Sequence, residues 1–261
     1  MNAGLANAFA AFICWGLFPL YFQFITHVPS LEVVLHRSTW SLVFLAVVLA
    51  VLGRWRWLAD LRGQPRQLLL FAASSLLLTT NWLVYVYAVA SGHVLDTSLG
   101  YFINPLVSVL LAVWVLHERL RRLQWVAVGL AALGVAWLTV QSGRLPWVAL
   151  ALAFSFGFYG LIRKTSRLGP LEGLTLETLL LAPLVIPALA WVTLRGDDAL
   201  ARGDWALNGW LWLSGPLTAL PLLCFAAAAR RLPLATVGLT QYLSPTLQFI
   251  LGLWVFHEPL Q

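Results

Sequence analysis

The sequence predicts an all-α membrane protein built as an inverted repeat of two five-helix halves, a ten-helix architecture whose tenth helix is absent from this chain. Three observations carry that prediction. Of the 261 residues, 61% are hydrophobic and only 10% charged, against about 25% charged in a soluble domain. The apolar residues fall into runs of about 20, the length that crosses a hydrocarbon core as a helix. The chain also resembles itself at a constant offset of 140 residues, the mark of an internal duplication.

Apolar runs broken by charge, Gly or Pro place spans near 5–25, 31–52, 68–90, 97–116 and 124–140 in the first half. The first run does not read as a cleaved signal peptide. No Lys or Arg lies between Met1 and Asn7, and the apolar stretch continues past Trp15 to Tyr21 and Phe22. The second half gives runs near 146–162, 171–194, 208–229 and 236–256. Lipid offers the backbone no hydrogen-bond partner, and these runs far exceed the ten-residue alternating segments of a membrane barrel, so each is expected to be helical.

Net charge is +6, but the basic residues form short clusters between apolar runs rather than a stripe with interleaved aromatics. They therefore report topology, not nucleic-acid binding. With the N-terminus inside, cytoplasmic loops collect Arg54, Arg56, Arg62 and Arg66, then Arg119, Arg121 and Arg122, then Arg163, Lys164 and Arg167, then Arg230 and Arg231. That accounts for 12 of the 16 basic residues, leaving Arg37, Arg144, Arg195 and Arg202. Asp197, Asp198 and Asp204 fall in the long loop expected outside.

The duplication is clearest in LGYFINPLVSVLLAVWVLHERL from Leu99 against LTQYLSPTLQFILGLWVFHEPL from Leu239. Pro105 matches Pro245, Trp114 matches Trp254, and His117, Glu118 and Leu120 match His257, Glu258 and Leu260. The register persists elsewhere: Leu31 and Glu32 match Leu171 and Glu172, while Leu77, Leu83 and Ala88 match Leu217, Leu223 and Ala228. Five spans per copy is an odd number, so the second copy enters the membrane from the opposite side. The first repeat is expected over 1–140. The second, over 141–261, stops at the counterpart of Arg121 with four helices.

VPSLEVVLHRSTWSLVF from Val28, NWLVYVYAV from Asn81, SLGYFINPLVS from Ser98, LAFSFGFYGLIRK from Leu152, PLLCFAAAA from Pro221 and QYLSPT from Gln241 together carry a family resemblance spanning nearly the whole chain. The sequence resembles the RarD-type branch of the EamA family, within the drug/metabolite transporter superfamily. The resemblance implies two inverted five-helix halves, a cytoplasmic N-terminus, residence in the bacterial inner membrane, and export or exchange of small metabolites or drugs. The missing tenth helix is the departure from the family pattern.

Ionisable residues inside a span cost about 2.5 to 3.5 kcal/mol on insertion scales, so those that occur mark candidate sites. Arg37 and Glu177 stand at equivalent positions of the two copies, six residues into their spans. One reading makes Arg37 a fixed cation for a substrate carboxylate and Glu177 a titratable gate; the other has both snorkel to a nearby interface. His36, next to Arg37, points about 100 degrees away and reads as an interfacial or internally satisfied histidine. Asn81 and Tyr85, one turn apart beside Trp82, present a face that suits either a polar cavity or interhelical packing.

Tyr101, Asn104 and Pro105 are mirrored by Gln241, Ser244 and Pro245, with Tyr242 alongside. Each proline frees a carbonyl four residues earlier, so helix breaks that build a midplane binding site are expected at Pro105 and Pro245, with a packing kink as the alternative. Trp15 and Tyr159, in the opening helices of the two halves, are candidates for an aromatic wall around an organic substrate. Trp55, Trp57, Trp205 and Trp210 read as interfacial belt residues. Arg163 and Lys164 read as topology anchors.

No metal or other cofactor is expected. Cys14 and Cys224 lack ligand spacing, and the His–Glu pairs are not HExxH. Without a phosphate-binding loop, uphill movement would draw on a proton gradient or substrate antiport. The favoured function is a secondary transporter of small molecules working in the lipid bilayer by alternating access. An intramembrane enzyme on lipid head groups and a non-transporting accessory subunit are the alternatives. Nucleic acid is not an expected partner, and a homodimer is left open.

Overall fold

The computed structural model describes residues 2–61, 63–91, 94–142, 146–196 and 205–256. All regular structure among the described residues is helical: α1 (Ala3–Gly16), α2 (Phe18–Phe22) with a 3-10 turn to Ile25, α3 (Ser30–Leu52), α4 (Trp57–Leu61), α5 (Pro65–Ala90) and α6 (Val94–Trp114). Then follow α7 (Arg122–Ser142), α8 (Trp147–Thr165), α9 (Pro170–Leu194), α10 (Trp205–Arg231), α11 (Leu234–Thr240) and α12 (Leu243–Trp254). Eight stretches among these are long and apolar enough to cross a membrane, the first being Ala3–Ile25 taken as one span. This is a multi-pass membrane protein.

Local chemistry sets the helix ends. The Asn2 side chain accepts the Gly4 N–H at 3.0 Å to start α1. Gly53 closes α3 in the left-handed region, φ 61°, so that its N–H reaches Ala50 and the Arg54 N–H returns to the Leu49 carbonyl at 3.1 Å. Pro170 opens α9 at a position where no N–H is required. Prolines inside α6, α9 and α10 do not end those helices, because neighbouring helices and side chains satisfy the freed groups in a membrane bundle.

The helix boundaries repeat at the 140-residue offset. Adding 140 to 30–52 gives 170–192, against Pro170–Leu194 for α9; adding 140 to 65–90 gives 205–230, against Trp205–Arg231 for α10. Packing repeats as well. α1 lies along α10 as α8 lies along α5, and α6 lies along α8 as α11 and α12 lie along α1. The copies run in opposite senses. Arg54, after the end of α3, contacts Glu172, at the start of α9. Lys164, at the end of α8, bonds the end of α10, whereas Gly4, at the start of α1, packs against Arg231 and Leu232 there.

Most of the basic loops consequently meet at one end of the bundle, hereafter the basic end. Arg54 Nη2 lies 2.5 Å from the Glu172 carboxylate. Arg230 donates to the carbonyl of Leu168. Lys164 Nζ donates to the Leu232 carbonyl at 2.6 Å and sits 3.6 Å from Glu118. Glu118 in turn accepts the N–H groups of Leu234 at 2.8 Å and Ala235 at 3.0 Å, capping α11 from another element. Outward faces carry bare apolar side chains, most fully on α7, where Leu123, Leu130 and Trp137 are exposed as a lipid-facing surface requires.

Several sequence expectations are corrected. The ninth span is not one helix: it divides into α11 and α12 at Gln241–Tyr242. The break lies ahead of Pro245, which sits in the first turn of α12 where its missing N–H costs nothing. α6 runs unbroken through Pro105, held by α8 and α11 on its flanks. Trp57 is buried against Leu49, Phe71 and Leu176, and Trp210 stacks on Phe24 at 4.2 Å between ring centroids, so neither is a simple belt residue. Arg62, Arg144, Asp197, Asp198, Arg202, Asp204, His257, Glu258 and Leu260 lie outside the described residues.

Candidate functional site

A cavity of about 230 Å³ opens between the two halves. It occupies the part of the bundle away from the basic end, because its walls come from the far halves of the contributing helices. Helical spacing brings them together: Leu78, Asn81, Trp82 and Tyr85 on α5, Tyr101 and Asn104 on α6, Leu152 and Phe156 on α8. α1 and α2 add Phe12, Trp15, Phe18 and Phe22, and the α11–α12 junction adds Gln241, Ser244, Pro245 and Gln248.

Arg37, on α3, is the cation of this lining. Its Nε donates to the Thr218 hydroxyl at 3.1 Å, and its guanidinium carbon lies 4.9 Å from the centre of the Trp82 ring. Both contacts are neutral. Among the described residues the lining contains no Asp, Glu, His, Cys or Lys.

Much of the remaining polarity is already committed to holding helices together. The Asn81 amide nitrogen donates to the Leu152 carbonyl and to the Ser155 hydroxyl, each at 2.9 Å, tying α5 to α8. Ser244 donates to the Phe12 carbonyl at 2.7 Å, and Gln248 to the Trp15 carbonyl at 3.1 Å, lashing α12 to α1. Gln241 accepts from Ser108 at 3.3 Å. The Asn104 side-chain oxygen is buried without a hydrogen-bond partner, an acceptor that a ligand donor could fill.

Of the residues singled out from sequence, Trp15, Arg37, Asn81, Tyr85, Tyr101, Asn104, Gln241 and Pro245 line the cavity. Tyr159, Glu177 and Tyr242 do not. The Tyr242 hydroxyl instead bonds the Phe102 carbonyl at 3.3 Å, bridging α12 to α6. Sequence reading overlooked Gln248 and the phenylalanines. Gln248 could have been found, since it continues the Gln241, Ser244 series by one more turn on the same face.

Glu177 and Tyr159 belong to a second cluster nearer the basic end. The Glu177 carboxylate accepts from Ser74 at 2.5 Å, Tyr159 at 3.3 Å and Arg163 at 3.4 Å, and it is fully buried. Arg163, read from sequence as a topology anchor, is 1% exposed; it also donates to the Pro170 carbonyl at 2.9 Å and lies 5.5 Å from the Phe71 ring centre. The α8–α9 hairpin explains the meeting. Arg163 lies in the last turn of α8 and Glu177 two turns into the antiparallel α9.

Between the cluster and the cavity, Phe156 and Phe225 pack on Tyr159 and Phe12 packs on Phe225, with Tyr159 and Phe225 6.0 Å apart and nearly parallel. The cavity floor is therefore aromatic and sealed on that side. His36 stands apart from both sites: it accepts the Trp40 indole N–H at 3.3 Å and lies 3.8 Å from Glu32.

A model of the EamA-like transporter family matches residues 2–140. An uncharacterized transporter of Pseudomonas aeruginosa is 46% identical over 263 residues, covering 100% of this chain and 87% of that protein. Uncharacterized transporter YojE of Bacillus subtilis is 47% identical over 264 residues, covering 98% and 86%. Protein RarD of Escherichia coli is 41% identical over 255 residues, covering 98% and 86%. One solved crystal structure superposes on the whole chain and 91% of its own with a TM-score of 0.72 at 16% identity, a likeness of fold alone.

Proposed function

Because this chain belongs to the EamA-like transporter family, we propose that it is a secondary transporter moving small organic solutes across a bacterial inner membrane by alternating access to the cavity between its halves. The membrane-transporter assignment follows from the family; the mechanism and the site rest on the geometry. The observation that carries them is the asymmetry along the membrane normal. The cavity occupies the half away from the basic end, while aromatic packing and a buried ion pair fill the half towards it.

The repeats, 1–140 and 141–261, are the bodies that would rock against each other, and the basic end with the N-terminus is the cytoplasmic one. On this reading Trp15, Tyr85, Tyr101, Asn104 and Gln241 contact solute around Arg37. Glu177 and Tyr159 act through the closure of the basic end instead. Glu177 is the buried carboxylate at which a proton would loosen the tie to Arg163, should a proton gradient rather than solute exchange drive transport.

On this reading the chain acts as a carrier rather than as an enzyme on lipid head groups, a reading supported by a lining whose described residues offer aromatic, amide and hydroxyl groups around Arg37. The test is flux. Reconstituted in liposomes, the protein should exchange a labelled solute that Asn104→Trp, which fills the cavity, abolishes while the variant stays folded. Turnover of a lipid substrate without any translocation would instead establish the enzymatic reading.

A further inference from the structure

Among the described residues two arginines, Arg37 and Arg163, lie inside the bundle, and their electrostatic situations differ. Arg163 has an internal counter-charge in Glu177. Arg37 stands where Glu177 stands in the other copy, and the counterpart of Arg163 at the 140-residue offset is Gln23. The first copy therefore carries the cation in place of the anion and a neutral amide in place of the cation. Positions 23 and 37 therefore cannot reproduce the ion pair of positions 163 and 177. None of the ion pairs among the described residues involves Arg37.

A cation in a membrane interior without a counter-charge is costly, and here it is also presented for contact. Nε is taken by Thr218, which fixes the guanidinium plane. Among the described residues the two terminal nitrogens carry no protein hydrogen bond, and Arg37 lines the cavity, which leaves the fork that binds a carboxylate through two parallel bonds. Around it the walls are aromatic, from Trp15, Trp82, Tyr85 and Phe156, and among the described residues they contain no second cation and no anion.

We propose that Arg37 is the head-group site for the single carboxylate of a small organic acid whose apolar body lies against Trp15, Trp82 and Phe156. The assignment rests on the transporter reading and names its substrate class. Solute arrival supplies the counter-charge that the first copy lacks. A neutral solute leaves Arg37 unpaired, a cation meets it as a like charge, and a dicarboxylate must bury its second charge among rings without a partner.

The experiment is equilibrium binding to the full chain in lipid nanodiscs. Phenylacetate, indole-3-acetate and 4-methylpentanoate are each compared with their own primary amide, and phenylacetate with phenylmalonate. At least one acid should bind about tenfold or more tightly than its amide, as expected for a charge-assisted bidentate pair, and phenylmalonate more weakly than phenylacetate. In Arg37→Gln the acid–amide gap should vanish; in Arg37→Lys part of it should return. The proposal is overturned if no acid exceeds its amide, if the dianion binds as well as the monoanion, or if the gap survives in Arg37→Gln. Should that variant not fold, the comparison on the unmodified protein decides alone. Arg37-dependent binding of an acid that never crosses a liposome membrane would sink the transport reading and leave this site standing. Transport of amides with no preference for acids would do the reverse.

Discussion

Arg37 and Glu177 show how one sequence position can serve two purposes in a duplicated protein. In the second copy the position holds an anion that completes an internal network with Ser74, Tyr159 and Arg163; in the first it holds a cation whose strongest partner would come from outside. The two should respond oppositely to neutralisation. Glu177→Gln strands the Arg163 charge in a buried site and should destabilise by about 3 to 5 kcal/mol. Arg37→Gln removes an unpaired charge along with one hydrogen bond, so stability should stay within about 1 kcal/mol of the unmodified protein or rise. Thermal unfolding in nanodiscs distinguishes them, and equal losses in the two variants would contradict the account. The equivalence of positions 37 and 177 was legible in the sequence offset. The burial of Arg163 was not, because its clustering with Lys164 and Arg167 mimics a loop anchor. The usable signal was Ser155, Tyr159 and Arg163 at four-residue spacing, a polar stripe on one helix face.

At the level of elements, the informative pair is α6 against α11 and α12. Both copies carry the proline, yet only the second is broken, and the break precedes the proline at Gln241–Tyr242. What differs is the surroundings. α11 crosses α6 at Gly238, where a Cβ would stand 2.9 Å from the Ser108 Cβ and 3.2 Å from the Pro105 carbonyl oxygen, so only a glycine permits this approach. Past the break, Ser244 and Gln248 fasten α12 to α1. Gly238→Val should therefore push α11 off α6 and cost about 1 to 3 kcal/mol, read as a lowered unfolding midpoint. Gly129→Ala, on the open face of α7 where a Cβ meets nothing within 4 Å, should leave the midpoint within about 0.5 kcal/mol. Similar losses at both sites would show that the close crossing is not what holds the broken helix. Sequence located the helices because lipid enforces them. It misplaced the break because the proline signal is local, whereas the choice between bending and breaking was made by neighbouring helices.

For the whole molecule, inversion and polarity belong together. The copies run in opposite senses, the positive loops gather at one end, and the cavity lies towards the other. The offset and the odd number of spans made the inversion readable. Which helix faces converge on the cavity was only partly readable, since Trp15, Asn81 and Gln241 meet through packing that no single span encodes. The central claim is that this cavity serves both faces of the membrane in turn. Its most direct test is a single cysteine at Asn104, with Cys14 and Cys224 replaced, probed in oriented vesicles by a membrane-impermeant maleimide applied to one side at a time. The account predicts labelling from either side, slowed by a bound monocarboxylate. Labelling confined to one side under every condition, with solute or without, would contradict it.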